Sequence, residues 1–171
     1  VGDNIQVYWG SQYEPMIDVD DTAYSTGYLG LHVWDGSALF QNIKVSEWKG
    51  NLSGPAATSG DWQPDIKGLK GTASEELEAY RIYKNAAADY VLEGNIILGE
   101  LAEAGFYWRG NDQGTEGYEA VFRREDDQVR VTLETSDGTV IDASSRTYPS
   151  LPSSAHHVEI HVSGDRIRIA V

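Results

Sequence analysis

The chain has 171 residues, of which 40% are hydrophobic and 23% are charged, and its formal net charge is -14. These values predict one globular domain with a sizeable core and exclude intrinsic disorder, and so acidic a surface argues against nucleic acid or a membrane as a partner. The absence of cysteine excludes thiol catalysis, cysteine-ligated zinc and disulfides.

Residues 27–45, GYLGLHVWDGSALFQNIKV, show the clearest strand pattern in the first part of the chain. Apolar and polar residues alternate around Asp35 and Gly36, which predicts two strands joined by a tight turn. One face of the first strand is aliphatic and is predicted to lie in the core, whereas the other carries an imidazole and two aromatic rings. The aliphatic residues are Leu29, Leu31 and Val33, and the others are Tyr28, His32 and Trp34.

Residues 46–72 are rich in Gly, Ser and Pro and are predicted to form a long connection, parts of which pack down through Trp48 and Trp62. Helical periodicity is confined to residues 73–90, where the stretch YRIY fits a strand equally well. The other segments alternate with a period of two.

The second half of the chain is a series of short alternating segments, among them YVLEGNIIL, AGFYWRG, YEAVFRR, QVRVTLE, HHVEIHV and DRIRIAV. Ten or more short strands in one domain predict an all-β fold, an antiparallel two-sheet β-sandwich or jelly roll. On two of these strands Tyr107, Arg109 and Glu119 are predicted to lie away from the core. The residues expected between the sheets here are Phe106, Trp108, Ala120 and Phe122.

The two ends of the chain resemble each other. VGDNIQVYW at the start matches VSGDRIRIAV at the end in a Gly-Asp turn and in alternating Ile and Val. If the likeness is real, both ends occupy the same strand position. The chain is then one unit cut out of phase from a tandem array, or a permuted unit; chance likeness is the alternative.

Several segments resemble a known family. HVEIHVSGDRIRIAV followed by PMIDVDDTAYSTGYLGLHVWDGSALFQNIKV is similar to the second half of laminin-G/concanavalin-like β-sandwiches, and GDWQPDIKGLKG, ADYVLEGNIIL, AGFYWRGN and GYEAVFRRED resemble the first half. The chain resembles in particular the fructan-binding carbohydrate-binding module of bacterial levanases, family sixty-six, with the halves reversed. The resemblance implies that residues 1–48 supply the C-terminal strands of the family unit, 49–72 a connection and 73–171 the N-terminal strands of a single module, 1–171.

A sugar-binding site needs aromatic faces for the ring and charged groups for its hydroxyls, projecting from one rigid face. Arg109 and Glu119 can hold adjacent hydroxyls from both sides, Trp34 offers an aromatic face, and the resemblance favours ligand contact for these three. The predicted ligand-binding residues are Arg109, Glu119, Trp34, Tyr107, His32 and Asp35.

Simpler interpretations of these residues stay open. Arg109 and Glu119 can form a cross-strand ion pair on a wet sheet, worth under about 1 kcal/mol. Trp34 can cap the edge of the core, His32 can be incidentally exposed, and Asp35 can be a turn former.

Few other constellations carry chemistry. The stretch DVDD, with Asp18, Asp20 and Asp21, can hold calcium together with Asp3, although a solvated turn explains it better. No cofactor is predicted apart from this candidate structural calcium. The sequence has no phosphate loop, zinc pair, dinucleotide fingerprint or G-x-S-x-G elbow.

The sequence therefore predicts a non-catalytic module that docks a parent glycoside hydrolase on fructan, levan or inulin, at terminal fructose units. It would be covalently linked to the catalytic module and secreted. No signal-peptide pattern opens the chain, which fits a mature protein or an excised module. The alternatives are a sandwich-fold glycosidase or keto-disaccharide hydrolase-like enzyme, using two of the many carboxylates, and a ligand-free spacer in a tandem array.

Overall fold

The structure is a computed structural model that describes residues 3–9, 17–46, 56–66, 68–74, 78–87, 90–99, 102–125, 128–147, 155–163 and 165–170. These residues form fifteen strands and no helix, and so contain no helical membrane span. The strands are β1 (Asp3–Trp9), β2 (Ile17–Asp20), β3 (Gly27–Asp35), β4 (Ser37–Ser46), β5 (Ala56–Thr58), β6 (Asp61–Asp65), β7 (Gly68–Thr72), β8 (Ala79–Ala87), β9 (Tyr90–Leu98), β10 (Glu103–Gly110), β11 (Tyr118–Glu125), β12 (Gln128–Thr135), β13 (Val140–Thr147), β14 (His156–Ser163) and β15 (Asp165–Ala170).

Fourteen of these strands, all but β2, form two seven-stranded sheets that pack face to face. Sheet A has the order β1-β15-β14-β9-β4-β7-β6, and sheet B has the order β13-β12-β11-β10-β3-β8-β5. Every pairing in the described segments is antiparallel except that of β1 with β15. The predicted two-sheet antiparallel β-sandwich is confirmed.

The core lies between the sheets and has the predicted register. All seven residues expected there belong to one buried cluster, and each is 3% exposed or less. Phe106 meets Phe40 of sheet A at 5.7 Å between ring centroids and Phe122 of its own sheet at 6.2 Å, both edge to face. Burying one such ring contributes about 1.5–3 kcal/mol, so these contacts fix which face of each strand looks inward. The seven residues are Leu29, Leu31, Val33, Phe106, Trp108, Ala120 and Phe122.

The turn at Asp35 and Gly36 joins the two sheets and does not close a hairpin. β3 lies in sheet B and β4 in sheet A. Gly36 has a φ of 67°, and a Cβ there would lie 3.1 Å from the Cα of Ala102. A glycine therefore lets the chain turn sharply and pass close to its neighbour as it crosses to the other sheet.

Residues 56–72 do not form a plain connection as predicted, because β5, β6 and β7 lie there. β5 and β6 are edge strands, where Gly and Pro are tolerated. The half-buried ring of Trp62 packs on Phe40 at 6.0 Å between centroids and donates to the carbonyl oxygen of Ser59 at 2.9 Å. Trp48 lies outside the described residues. Of the segment with helical periodicity, residues 79–87 form β8, so YRIY is a strand.

Candidate functional site

The outer face of sheet B carries the polar residues that the sequence places opposite the core. His32 lies on β3, Tyr107 on β10 and Glu119 on β11, and Tyr107 pairs directly with Glu119. Their exposed fractions are nevertheless only 5%, 1% and 4%. Because this face looks away from sheet A, another part of the chain must cover it.

The loop of residues 111–117 supplies part of this cover. The hydroxyl of Tyr107 donates to the carbonyl oxygen of Asn111 at 2.8 Å and also contacts the carbonyl oxygen of Glu116. A Cβ on Gly110 would lie 1.7 Å from that hydroxyl, so a larger residue there would push the loop away. The Tyr107 hydroxyl thus holds the loop down, and its predicted role in ligand binding stays a prediction.

Three titratable side chains, Glu119, His32 and Glu78, form a contiguous row across this face. Nδ1 of His32 lies 3.4 Å from Oε1 of Glu119, and Nε2 lies 3.2 Å from Oε2 of Glu78. The Glu78 contact is within ion-pair distance but is not a well-aligned hydrogen bond. The side chain of Glu119 is 5% exposed and that of Glu78 is 60% exposed. The row of three side chains therefore extends from the buried Glu119 to the solvent-exposed Glu78.

The two carboxylates set the charge of the imidazole. Burial alone would lower the pKa of His32, but the close contacts with the carboxylates of Glu119 and Glu78, and their charges, outweigh it, and the pKa is raised above 6.5. The close contact with His32 is the main reason that the pKa of Glu78 is lowered. Burial, followed by the charge of Glu119, raises the pKa of Tyr107 far above its usual value, so its hydroxyl stays a donor. His32 is thus held as a cation at mildly acidic pH.

The stabilising effect of His32 should fade as the pH rises. Since its folded pKa lies above the ordinary value of 6.5, this effect is complete below about pH 6.5 and is lost as the pH rises through the folded pKa. The pKa of Glu78 lies below 4.5, so its effect is complete above that pH and is lost on acidification through the folded pKa. Thermal melts of wild type and His32→Gln should differ most between about pH 4.5 and 6.5 and less towards pH 8.5. A difference that grows with pH would contradict this assignment.

Two aromatic rings flank His32 and reach the surface. The ring of Trp34 lies 3.8 Å from that of His32, tilted by 34°, and Tyr80 meets His32 edge to face at 6.4 Å. Both rings are half-buried, and Trp34 is not among the side chains packed on the core cluster. Trp34 therefore does not cap the core. Asp35 is exposed and accepts a hydrogen bond from the backbone N–H of Gly36 at 2.7 Å, which confirms it as a turn former.

Arg109 lies at a β-bulge. Between Tyr107 and Gly110, β10 has one residue more than the facing part of β3, and Arg109 takes the left-handed φ of 52°. Its guanidinium is buried and donates from Nη1 to the carbonyl oxygen of Tyr24 at 3.0 Å. Burial raises the pKa of Tyr90 and Tyr118, two tyrosines of the inter-sheet cluster. The nearby charge of Arg109 partly opposes this increase. Arg109 therefore lies with these tyrosines, whereas strand alternation predicted it beside Tyr107 on the outer face.

Asp21 contacts Tyr118, one of the two tyrosines near Arg109. The hydroxyl of Tyr118 donates to Oδ1 of Asp21 and accepts from the N–H of Tyr24 at 3.1 Å. Asp21 is thus engaged within the protein, and Asp18 is exposed. Among the residues whose side chains are described, no three His, Asp or Glu side chains form a metal site. The side chains of Asp3 and Asp20 lie outside that set.

A recess of about 380 Å³ lies on sheet A, lined by residues 42–44, residues 93–95 and His157. It offers amide groups and the ion pair of Lys44 with Glu93 at 2.6 Å, but no Trp or Tyr. Since sugars need an apolar face to stack on, the outer face of sheet B is the better candidate for a sugar site.

The chain is similar to part of a levanase from Bacillus sp. (strain L7). The two are 54% identical over 170 residues, which is 99% of this chain and 18% of the levanase. The chain thus spans less than a fifth of that relative. No protein-family model matches the chain, and no solved structure matches it significantly.

Proposed function

We propose that the chain is a non-catalytic carbohydrate-binding module of a secreted fructan-degrading enzyme, covalently linked to its catalytic module. The face around His32 would bind the ligand, with Trp34 and Tyr80 offering half-exposed rings and Glu119 and Glu78 offering acceptors for hydroxyls. The observation that supports this most is that aromatic and charged groups meet on one face of a rigid sheet. The similarity to part of a levanase favours fructan as the polysaccharide, and the resemblance favours its terminal fructose units.

The arrangement of the two carboxylates supports binding without catalysis. In most glycosidases the catalytic carboxylates face each other across the scissile bond, about 5–9.5 Å apart, with room for substrate between them. Here both Glu78 and Glu119 contact His32, whose ring occupies the space between them. The match to a small share of the levanase is consistent with a module separate from the catalytic one.

Trp34→Ala should weaken levan binding while leaving thermal stability close to that of the wild type. Loss of one stacking ring costs on the order of 1 kcal/mol, which is about a fivefold increase in Kd, and Trp34 is not packed on the core. Trp62→Ala is the matched control, since its ring packs on Phe40 in sheet A. It should melt earlier than the wild type but bind normally. Calorimetric titration with levan, together with thermal melts, measures both.

The same titrations decide between the proposal and its alternatives. Levan, inulin and free fructose are titrated in turn, and the incubated levan is analysed for released sugar. Binding without release supports the proposal, whereas release of sugar would show an enzyme. No binding to any of the three would favour a structural spacer.

A further inference from the structure

β1 and β15 pair with the same residues of β14. At His161 the Cα partner is Gln6 in β1 and Arg168 in β15, and at Val162 the partners are Ile5 and Ile167. Both pairings are antiparallel, and every pair of counterparts is separated by the same 162 positions, as Gln6 is from Arg168. Two distant segments thus have one register on one strand.

The two segments compete for a single edge of β14. Strands on opposite edges of a third strand lie about 9–10 Å apart and cannot pair with each other. β1 and β15 do pair with each other, in parallel, with Ile5 opposite Ile167. They therefore lie on the same side of β14, and one edge has a single row of backbone groups for one antiparallel partner.

The likeness between the two ends of the sequence has the same offset of 162 positions. Gly2 and Asp3 correspond to Gly164 and Asp165, and Ile5 corresponds to Ile167. The sequence likeness and the backbone register equate the same residues. A chance likeness of two alternating stretches gives no reason for identical pairing on β14.

We propose that β1 and β15 are two versions of one strand, interchangeable at a single position beside β14, and that the displaced version can replace its counterpart at this position in a second copy of the module. Whichever strand occupies the position, the other has an unpaired row of backbone groups, and such an edge pairs readily with another chain. β15 follows β14 almost directly along the chain, so it closes the smaller loop and is favoured within one chain. β1 is then the displaced strand, and it pairs with β14 of a second copy by replacing that copy's β15, whether that copy lies on another chain or in the same longer polypeptide.

Disulfide trapping tests the shared position, because the chain has no cysteine of its own. Directly opposed residues have Cα atoms about 4.5–5.5 Å apart, within the range that a disulfide spans. His161→Cys is combined with Gln6→Cys, with Arg168→Cys, and with both. Each double variant should form a disulfide, and the triple variant should give a mixture of the two disulfides, resolved by peptide mapping. If the His161→Cys thiol never joins the Gln6→Cys thiol, the proposal is overturned.

Exchange with a second copy is tested by mixing chains that carry one cysteine each. Gln6→Cys mixed with His161→Cys should give a covalent dimer whose yield rises with protein concentration. The control is Asp137→Cys, in an exposed turn, mixed with His161→Cys. The dimer yield with Gln6→Cys should be several-fold higher than the dimer yield of this control. A yield no higher than this control overturns the exchange. If His161→Cys does not fold, Glu159→Cys with Tyr8→Cys or Ala170→Cys repeats the test at the next opposed pair on the same face. No sugar is used, so the outcome is independent of the proposed function.

Discussion

Glu119→Gln should weaken levan binding by roughly tenfold to a hundredfold. Glutamine keeps the shape of the side chain but removes its charge, and hydrogen bonds to charged groups contribute about 1.5–3 kcal/mol. Glu119 is 4% exposed and lies 3.4 Å from His32, so it is fixed in place before a ligand arrives. Calorimetric titration with levan at pH 7 measures the loss.

A second pair of carboxylate and imidazole provides the matched control. Oε1 of Glu159 lies 2.8 Å from Nε2 of His161, and both residues lie on β14 in sheet A. Glu159→Gln should bind levan like the wild type. The pKa of His32, followed by NMR, should fall in Glu119→Gln. If this pKa falls while binding is unchanged, Glu119 only positions His32 and the ligand binds elsewhere.

The core register could be predicted from the sequence because the two faces of each strand differ sharply in character. On β3 the aliphatic residues alternate with His32 and Trp34, and on β10 Phe106 and Trp108 alternate with Tyr107. A slip of one residue would exchange buried rings for polar groups, so only one register buries the apolar face.

The position of Arg109 could not be predicted in the same way. Alternation assumes an equal number of residues on paired strands, and the extra residue between Tyr107 and Gly110 breaks that assumption. Glycine is the usual residue at a left-handed φ, but here Gly110 follows the bulged position and Arg109 itself adopts it. No local signal distinguishes this bulge from a regular strand.

The cover over the outer face is likewise a tertiary feature. The loop of residues 111–117 folds back because Gly110 and Gly117 leave room for the ring of Tyr107. Glu78 and Tyr80, which the structure places beside His32, are not predicted from the sequence as candidate site residues because their segment has helical periodicity. The competing strand interpretation of YRIY was the signal that could have found Tyr80, since it places that residue opposite the core-facing Ala79.

The crossing from β3 to β4 shows a further limit of local patterns. An Asp-Gly pair fits a hairpin turn and a corner between sheets equally well. Both flanking strands have an apolar face, and Val33 from sheet B and Phe40 from sheet A belong to the same buried cluster between the sheets. Only the packing of the whole sandwich decides between the two.

Arg109→Ala should lower the stability of the fold by about 3 kcal/mol. The substitution leaves the carbonyl oxygen of Tyr24 without its donor, at a cost of about 1–3 kcal/mol, and truncating a large buried side chain adds a cavity. For a domain of this size, the melting temperature should fall by roughly 6–12 °C. Arg123→Ala is the control, because that guanidinium pairs with Glu103 at a half-exposed position and its loss should cost under about 1 kcal/mol.

The two measurements together decide the role of Arg109. The guanidinium of Arg109 is directed to Tyr24 and lies near Tyr118. We therefore expect Arg109→Ala to melt at a lower temperature than the wild type. When binding is measured well below that temperature, the variant should keep most of its affinity for levan. Loss of affinity at unchanged stability would instead mean that Arg109 contacts the sugar, as the sequence predicted. In that case the ligand would have to reach the end of the sandwich, and a matching loss in Tyr24→Ala would be required because Tyr24 lies beside Arg109 there.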